Sequence, residues 1–228
     1  MRLLSIETSC EHASVCLLVD GAILSHDLQG HANHSEHILP LIRRMLDAAA
    51  LAPAALDAVA FGAGPGAFTG LRLACGVAQG LAMGAGIGVV PVGSLAALAL
   101  QAGSGRVLAV TDARMGELYA AGFEIEGDVA REILPPVCVP PQQFAVEGAW
   151  HVLGSALRVW PDLLPEGSPQ VLSRDATRVP RAAEVARLAA ARLRAGEAPQ
   201  APELAVPLYV RDKVALTTDE RLARGGKA

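Results

Sequence analysis

Residues 57–72 read DAVAFGAGPGAFTGLR. The apolar residues 58–61 predict a short buried strand, and the glycines and proline that follow predict a tight loop. A helix is then expected from about Gly70 to Ala85, with Thr69 at the position where an N-cap residue stands. A buried strand, a glycine-rich loop and a helix in this order are typical of an α/β core.

The predicted helix carries glycine at every fourth position of one ridge, at Gly76, Gly80 and Gly84. Inside a helix, glycine is less favourable than alanine by ~1 kcal/mol per residue. We therefore expect very close packing of this ridge against another helix or a sheet. The ridge beside it consists of alanines: Ala74, Ala78 and Ala82.

The composition favours helices packed on a sheet. Of the 228 residues, 52% are hydrophobic and only 4% are aromatic, so the core is built mainly of Ala, Val and Leu. The net charge of −4 argues against a protein that holds nucleic acid on its own through a broad basic surface. The four cysteines show no CxxC pair or metal-type spacing, which indicates reduced thiols and a cytoplasmic protein. Glycines and Pro91 interrupt the apolar residues 73–100, so we expect no membrane-spanning segment.

Each half of the chain opens with three predicted strands, at residues 3–7, 13–19 and 22–28 in the first half and 106–111, 117–125 and 129–134 in the second. The first half continues as helix, strand, helix, strand and helix. The second half is punctuated by prolines and looks degenerate. This pattern predicts an α/β protein with the actin-like ATPase fold and two related subdomains, residues 1–104 and 105–228.

The first predicted helix follows the opening meander and has a one-sided apolar stripe. Asn33 or Ser35 is expected to cap it, and Pro40 then falls near the first turn, where a missing N–H matters least. The apolar residues recur at the i, i+3, i+4, i+7 spacing of an amphipathic helix: Ile38, Leu41, Ile42, Met45, Leu46 and Ala49.

Five segments, in order, resemble one family. The sequence GPGAFTGLR at residues 64–72 is similar to the GPGSFTGLR signature of the TsaB (YeaZ) family, with Ala67 in place of serine. The other four are IET at 6–8 (family IDT), HSEHILP at 34–40 (the first-helix entry), DARMGE at 112–117 (family DARMGEVY) and PLYVR at 207–211 (family PxYLR). The similarity is dense up to about Phe123, thin through the middle, and returns at the end.

This resemblance implies an actin-like fold and a part in making threonylcarbamoyladenosine beside the tRNA anticodon. Family members are not catalytic alone. They act as partners of the catalytic paralogue TsaD, with the ATPase TsaE joining the assembly, and they contact tRNA only through the complex. No tightly bound cofactor is expected, although ATP or ADP could sit at the joint interface with TsaD.

Family members dimerise through the first two helices, which points to a partner surface and to a homodimer when the chain is alone. The residues expected on that surface are Ile38, Leu41, Ile42, Met45, Leu46, Ala49, Leu73, Gly76, Val77, Gly80 and Leu81. The catalytic paralogue carries a metal-binding HxxxH, whereas the matching residues 92–101 here contain no histidine, so no metal site is expected.

Candidate nucleotide or anion contacts lie in the glycine loop and in the two hairpin turns that hold phosphates in actin-like proteins. They are Glu7, Thr8, Gly64, Gly66, Thr69, Arg72, Asp112 and Arg114. The loop lacks the Lys-Ser/Thr of a P-loop, so tight packing of helix on strand is the favoured interpretation. Asp112, Arg114 and Glu117 are likewise expected to form an ion-pair cluster that holds their hairpin.

Two alternatives stay open on the sequence. His31, His34 and His37 recur every third residue, but no third ligand with suitable spacing accompanies a helical pair, so a polar helix entrance is favoured over a metal site. The chain could also be a stand-alone ATP-dependent phospho- or carbamoyltransferase with its own nucleotide site. Magnesium-dependent ATP turnover by the isolated protein would separate that enzyme from a partner subunit.

Overall fold

The computed structural model describes residues 1–28 and 34–211. The expectations for His31 and for an Asn33 cap lie outside the described residues. The elements of the first half are β1 (Arg2–Glu7), β2 (Ser14–Val19), β3 (Ala22–Asp27), α1 (His34–Ala48), β4 (Ala58–Gly64), α2 (Phe68–Ala85), β5 (Gly88–Gly93) and α3 (Ser94–Leu100). Those of the second half are β6 (Gly105–Arg114), β7 (Glu117–Glu126), β8 (Val129–Val139), β9 (Trp150–Leu153), α4 (Ala156–Val159), β10 (Val171–Asp175) and α5 (Ala182–Arg194).

The two halves have sheets of the same topology. The strand order is β3-β2-β1-β4-β5 in one and β10-β9-β6-β7-β8 in the other, which is the same order read from the opposite edge. In each sheet an antiparallel meander is extended by two parallel strands beside its first strand. The predicted actin-like fold is confirmed. The degeneracy of the second half lies in its helices, because its sheet is complete while α4 has only four residues.

Side chains alternate between two cores along the central strands, as the pleat requires. In β1, Leu3 faces a core shared with α3 and α5, while Leu4 and Ile6 face a second core under α1 and α2. The second sheet faces the shared core with Val107, and its other side covers a third core around Trp150. The molecule is therefore layered, with α3 and α5 between the two sheets.

The packing of α5 crosses the predicted boundary between residues 104 and 105. Although α5 lies late in the chain, it packs on the first sheet. The hydroxyl of Ser5 donates to the carbonyl oxygen of Ala182 (2.7 Å), and the amide of Ala182 donates to the hydroxyl oxygen of Ser14 (2.9 Å). The subdomain limits stay a prediction, and the two halves share one hydrophobic core.

The start of α2 corrects the sequence-based prediction. The helix begins at Phe68, and its N-cap is Ala67, which provides no side-chain hydrogen bond. Thr69 lies exposed in the first turn and is not the cap. The physical reason is a hydrogen bond from the amide of Ala67 to the carbonyl oxygen of Ser9 (2.7 Å), which tethers the loop at Ala67. The N-cap position therefore lies two residues before Thr69. Among the described residues, no helix is both long and apolar enough to cross a membrane.

Candidate functional site

The glycine loop between β4 and α2 packs directly on the turn that follows β1. A Cβ atom added to Gly66 would lie 2.5 Å from the side chain of Ser9, and one added to Gly70 would overlap the carbonyl oxygen of Thr8. A Cβ on Gly62 would overlap the carboxylate of Glu7. The glycines therefore allow close contact between two parts of the chain, which supports the packing interpretation over a phosphate cradle.

Glu7 is held inside the protein at the end of β1. The backbone amide of Ser9 donates to Oε1 (2.6 Å), and the hydroxyl of Ser94 donates to Oε2 (2.8 Å). Burial raises the pKa of the Glu7 carboxyl, and the hydrogen bonds from Ser9 and Ser94 only partly oppose this. Thr8 is equally enclosed and donates its hydroxyl to the carbonyl oxygen of Gly70 (2.6 Å). Neither side chain is presented to a ligand.

A cleft of about 600 Å³ lies between the two halves, where an actin-like protein has its nucleotide site. The structure brings Gly66, Asp112 and Arg114 to its lining, whereas the other predicted contacts do not line it. The lining also includes Ser9, Cys10, Glu11, Met115, Ser155 and Arg158, together with residues 208–211. Among the candidates left outside, Gly64 is buried against the side chain of Leu71 and the carbonyl oxygen of Leu208.

Ion pairs fill the polar side of the cleft. Arg114 pairs with Asp112 (3.0 Å) on its own hairpin and with Glu11 (3.6 Å) from the first half. The predicted cluster is therefore present for Asp112 and Arg114, but Glu117 pairs with Arg211 instead (2.7 Å). Because these carboxylates face the cleft and the glycine loop is packed against protein, the cleft offers little to a polyphosphate.

Arg72 is engaged at the edge of the cleft. Its guanidinium lies 3.8 Å from the centre of the Phe68 ring, and its Nε donates to the hydroxyl oxygen of Tyr209 (3.2 Å). The rings of Phe68 and Tyr209 are 5.6 Å apart. Arg72 thus joins the first turn of α2 to the C-terminal segment.

The apolar stripe of α1 is not exposed. Its five main residues contact the first sheet and are at most 7% exposed, and only Ala49 is partly exposed. The expectation that these residues form part of an open partner surface is therefore wrong, because this face of α1 covers β1, β2 and β4. The five are Ile38, Leu41, Ile42, Met45 and Leu46.

The glycine ridge of α2 is open. A Cβ atom added to Gly76, Gly80 or Gly84 would have no atom within 4 Å apart from its own helix. This corrects the expectation of close packing as far as the described chain is concerned, because the buried ridge is that of the alanines. Met83 is 64% exposed beside the glycines. Three apolar residues predicted for the partner surface are half-buried on the same helix: Leu73, Val77 and Leu81.

Two large apolar side chains of the C-terminal segment are also exposed, Leu204 (67%) and Val206 (70%). They directly precede the PLYVR segment at residues 207–211. The segment lies along α2, since the Gln79 amide donates to the carbonyl oxygens of Pro202 (3.0 Å) and Ala205 (3.1 Å). The sequence signal for this exposed segment is that its apolar residues stand between prolines and recur with neither a helical nor a strand period.

Metal binding has no support among the described residues, where no group of three or more His, Cys, Asp and Glu side chains is placed to hold an ion. His37 lies exposed on the first turns of α1. The four cysteines, which are free thiols, are dispersed over the two halves.

Comparison with known proteins places the chain among relatives of nearly equal length. A family model described as TsaD: tRNA N6-adenosine threonylcarbamoyltransferase matches residues 29–218. The tRNA threonylcarbamoyladenosine biosynthesis protein TsaB of Escherichia coli (strain K12) is 35% identical over 225 residues, which cover 94% of this chain and 96% of that protein. The chain belongs to the TsaB family.

Further comparisons agree with this membership. The TsaB protein of Haemophilus influenzae is 42% identical over 123 residues, 52% of each chain. The solved structure titled YeaZ from Pseudomonas aeruginosa has a TM-score of 0.83 and 37% identity, and it covers 91% of this chain and 99% of that one. The predicted TsaB (YeaZ) resemblance is confirmed, and the TsaB fold described above extends over both halves.

Proposed function

We propose that this TsaB-family protein takes part in making threonylcarbamoyladenosine in tRNA, as a non-catalytic subunit that binds and activates a TsaD-type catalytic subunit. The names of its full-length relatives support the pathway. The match of a TsaD family model to residues 29–218 supports kinship with the catalytic subunit.

The observation that carries the proposal is the open glycine ridge of α2. Three interior glycines lower helix stability by ~1 kcal/mol each relative to alanine, and nothing in the described chain uses the space that they leave. Such a surface lets a second helix approach closely, so that its side chains pack against the α2 backbone. The partner surface is therefore centred on Gly76, Gly80, Leu73, Val77 and Leu81.

The arrangement of the cleft supports a role without catalysis by this chain alone. Glu7 is enclosed, and the glycine loop packs on the turn after β1. In this proposal a TsaE-type ATPase joins the assembly, tRNA is held by the complex, and ATP or ADP binds at the joint interface. The chain alone forms a homodimer through the α2 surface, and the complex works in the cytoplasm.

The test is complex formation with the TsaD-type subunit of the same host, measured by light scattering and followed by a tRNA modification assay. The wild type is expected to form a heteromer that restores modification, while Gly80→Asp abolishes the heteromer and leaves the chain folded. Leu172→Asp is the matched control, because it places a carboxylate on an apolar residue that is 60% exposed on β10, away from α2.

An enzyme working alone is the competing function, and the 600 Å³ cleft is the observation in its favour. Magnesium-dependent ATP hydrolysis by the isolated chain, lost in Asp112→Asn but kept in Gly80→Asp, would replace the subunit proposal. We expect no such hydrolysis.

A further inference from the structure

The C-terminal segment begins as an addition to the first half. Gln200 forms an antiparallel bridge with Val89 of β5, with amide-to-carbonyl distances of 2.8 and 2.9 Å. The segment then runs along α2, where the carbonyl oxygen of Ala205 accepts hydrogen bonds from the Gln79 amide and the Cys75 thiol. Up to this point these hydrogen bonds join the segment to β5 and to α2.

The next residues pass the end of β4 and the first turn of α2. The amide of Leu208 donates to the carbonyl oxygen of Ala63 (2.7 Å), directly before the glycine loop. Tyr209 packs its ring against Phe68 and accepts the hydrogen bond from Arg72. Residues 208–211 then form one wall of the cleft.

Arg211 makes the crossing to the second half. Its Nη2 donates to the carbonyl oxygens of Ala113 (2.8 Å) and Arg114 (3.2 Å) and pairs with the carboxylate of Glu117 (2.7 Å). The side chain is only 15% exposed, and its guanidinium lies 5.8 Å from the centre of the Tyr119 ring. A planar guanidinium presents five N–H donors in a fixed fork, so neighbouring carbonyls and a carboxylate can share it.

We propose that residues 207–211 form a strap that holds the two halves together across the cleft and ties the cleft to the α2 surface, with Arg211 as its anchor on the second half. The strap is fixed at Ala63 and Phe68 on one side and at the β6–β7 hairpin on the other. Release of Arg211 frees the second half from this tie, opens the cleft, and loosens the segment that lies along α2.

The link to α2 rests on the proposed function, because it concerns the surface offered to the TsaD-type subunit. Residues 202–206 lie along α2, on the side of Cys75 and Gln79, and expose Leu204 and Val206 to solvent. Arg211 is therefore a positioning residue, which acts on the partner surface through the strap and touches no partner itself.

The chain contains its own reporter of cleft opening. Cys10 lines the cleft, and burial raises the pKa of its thiol to about 12, so the closed protein reacts slowly with an alkylating reagent. Cys16 is fully buried on β2 and reports global unfolding instead. Iodoacetamide labelling of the full-length folded chain, read by mass spectrometry at each cysteine, measures the two events separately.

Arg211→Ala is expected to accelerate labelling of Cys10 by about tenfold, as for a local opening that leaves the core intact, with Cys16 unchanged. The same variant should bind the TsaD-type subunit several-fold more weakly, which is less than the loss in Gly80→Asp. Arg43→Ala is the matched control, since it removes an exposed arginine whose ion pair, among the residues that the structure describes, lies within α1, with Asp47 (3.1 Å).

Each contrary result has a distinct meaning. Unchanged labelling of Cys10, or equal acceleration at Cys10 and Cys16, overturns the strap. Faster labelling of Cys10 with unaltered partner affinity overturns its link to α2. If the wild-type chain binds no TsaD-type subunit while Arg211→Ala still exposes Cys10, the proposed function fails and the closure of the cleft by the strap stands.

Discussion

Two sets of glycines, separated by only a few residues, have opposite surroundings. At the end of β4, in the loop and in the first turn of α2, Gly62, Gly66 and Gly70 leave no room for a Cβ atom, whereas Gly76 and Gly80 further along α2 have open space around them. The glycines of the first set allow close contacts within the chain. The helical glycines have no such contact among the described residues, and they are the feature that suggests a partner.

The largest expected effect comes from Gly70→Ala. The new methyl group would overlap the carbonyl oxygen of Thr8, and backbone atoms on both sides cannot yield easily. The free energy of unfolding should fall by about 3 kcal/mol, the upper range for overpacking a core. Urea unfolding measures this change, and an unaltered midpoint would show that the loop is not closely packed on the β1 turn.

The first set of glycines also packs against Glu7, whose carboxylate lies where a Cβ atom on Gly62 would point. The burial of this carboxylate predicts that the free energy of unfolding depends on pH. Burial raises the pKa of Glu7 above the usual 4.5, so the folded state holds its proton longer than the unfolded state. Ionisation therefore costs stability, and this cost grows as the pH rises above 4.5 towards the folded-state pKa.

Glu7→Gln removes that titration. We expect the variant to gain stability relative to wild type as the pH is raised from mildly acidic to neutral. Urea titrations of both proteins across this range measure the difference. A difference that is constant with pH would contradict the burial argument.

For Gly80 on α2, we expect substitution by alanine to stabilise the chain, in contrast to Gly70→Ala. Gly80→Ala has room for its methyl group and gains helix propensity, so the monomer should become more stable by about 0.5–1 kcal/mol. Thermal unfolding at concentrations where the chain is monomeric tests this. Destabilisation would mean that the ridge is packed after all, and the contrast with Gly70 would disappear.

The smallest effect concerns Ala67, which lies between Gly66 and Gly70 of the first set. Ala67 is the N-cap of α2 and has the extended backbone of a cap, but it lacks a side-chain acceptor. Ala67→Ser should therefore stabilise the chain by about 0.5 kcal/mol, because its hydroxyl can accept from a free amide of the first turn. Thermal unfolding of this variant, measured alongside Gly80→Ala and wild type, gives the change in stability. No gain would mean that the tether from Ala67 to Ser9 already fixes the helix start.

Much of the fold was predictable because it rests on local patterns. The two meanders follow from the three predicted strands that open each half, and the segment order of the first half follows from periodicity. The equal topology of the second sheet was not apparent, because β9 and β10 are short and no long helix precedes β9. Periodicity fails for elements of four or five residues.

The candidate site was predicted less completely, for physical reasons. The stripe of α1 shows that one face is apolar, but amphipathicity alone does not say whether the sheet or a partner covers it. The spacing of Gly76 and Gly80 marks a ridge, yet only the structure distinguishes an open ridge from a packed one. Arg211 belongs to the PLYVR segment that resembles the family. Its role in joining the halves could not be predicted, because it depends on a contact with residue 113, which is far away in sequence.

The central claim is that the open glycines of α2 are kept for a partner. The most direct measurement is the affinity of the Gly76→Ala, Gly80→Ala double variant for the TsaD-type subunit, beside its thermal stability. The account predicts a more stable chain that binds its partner at least about tenfold more weakly, because the added methyl groups hold the two helices apart. A more stable chain with unchanged affinity would contradict it.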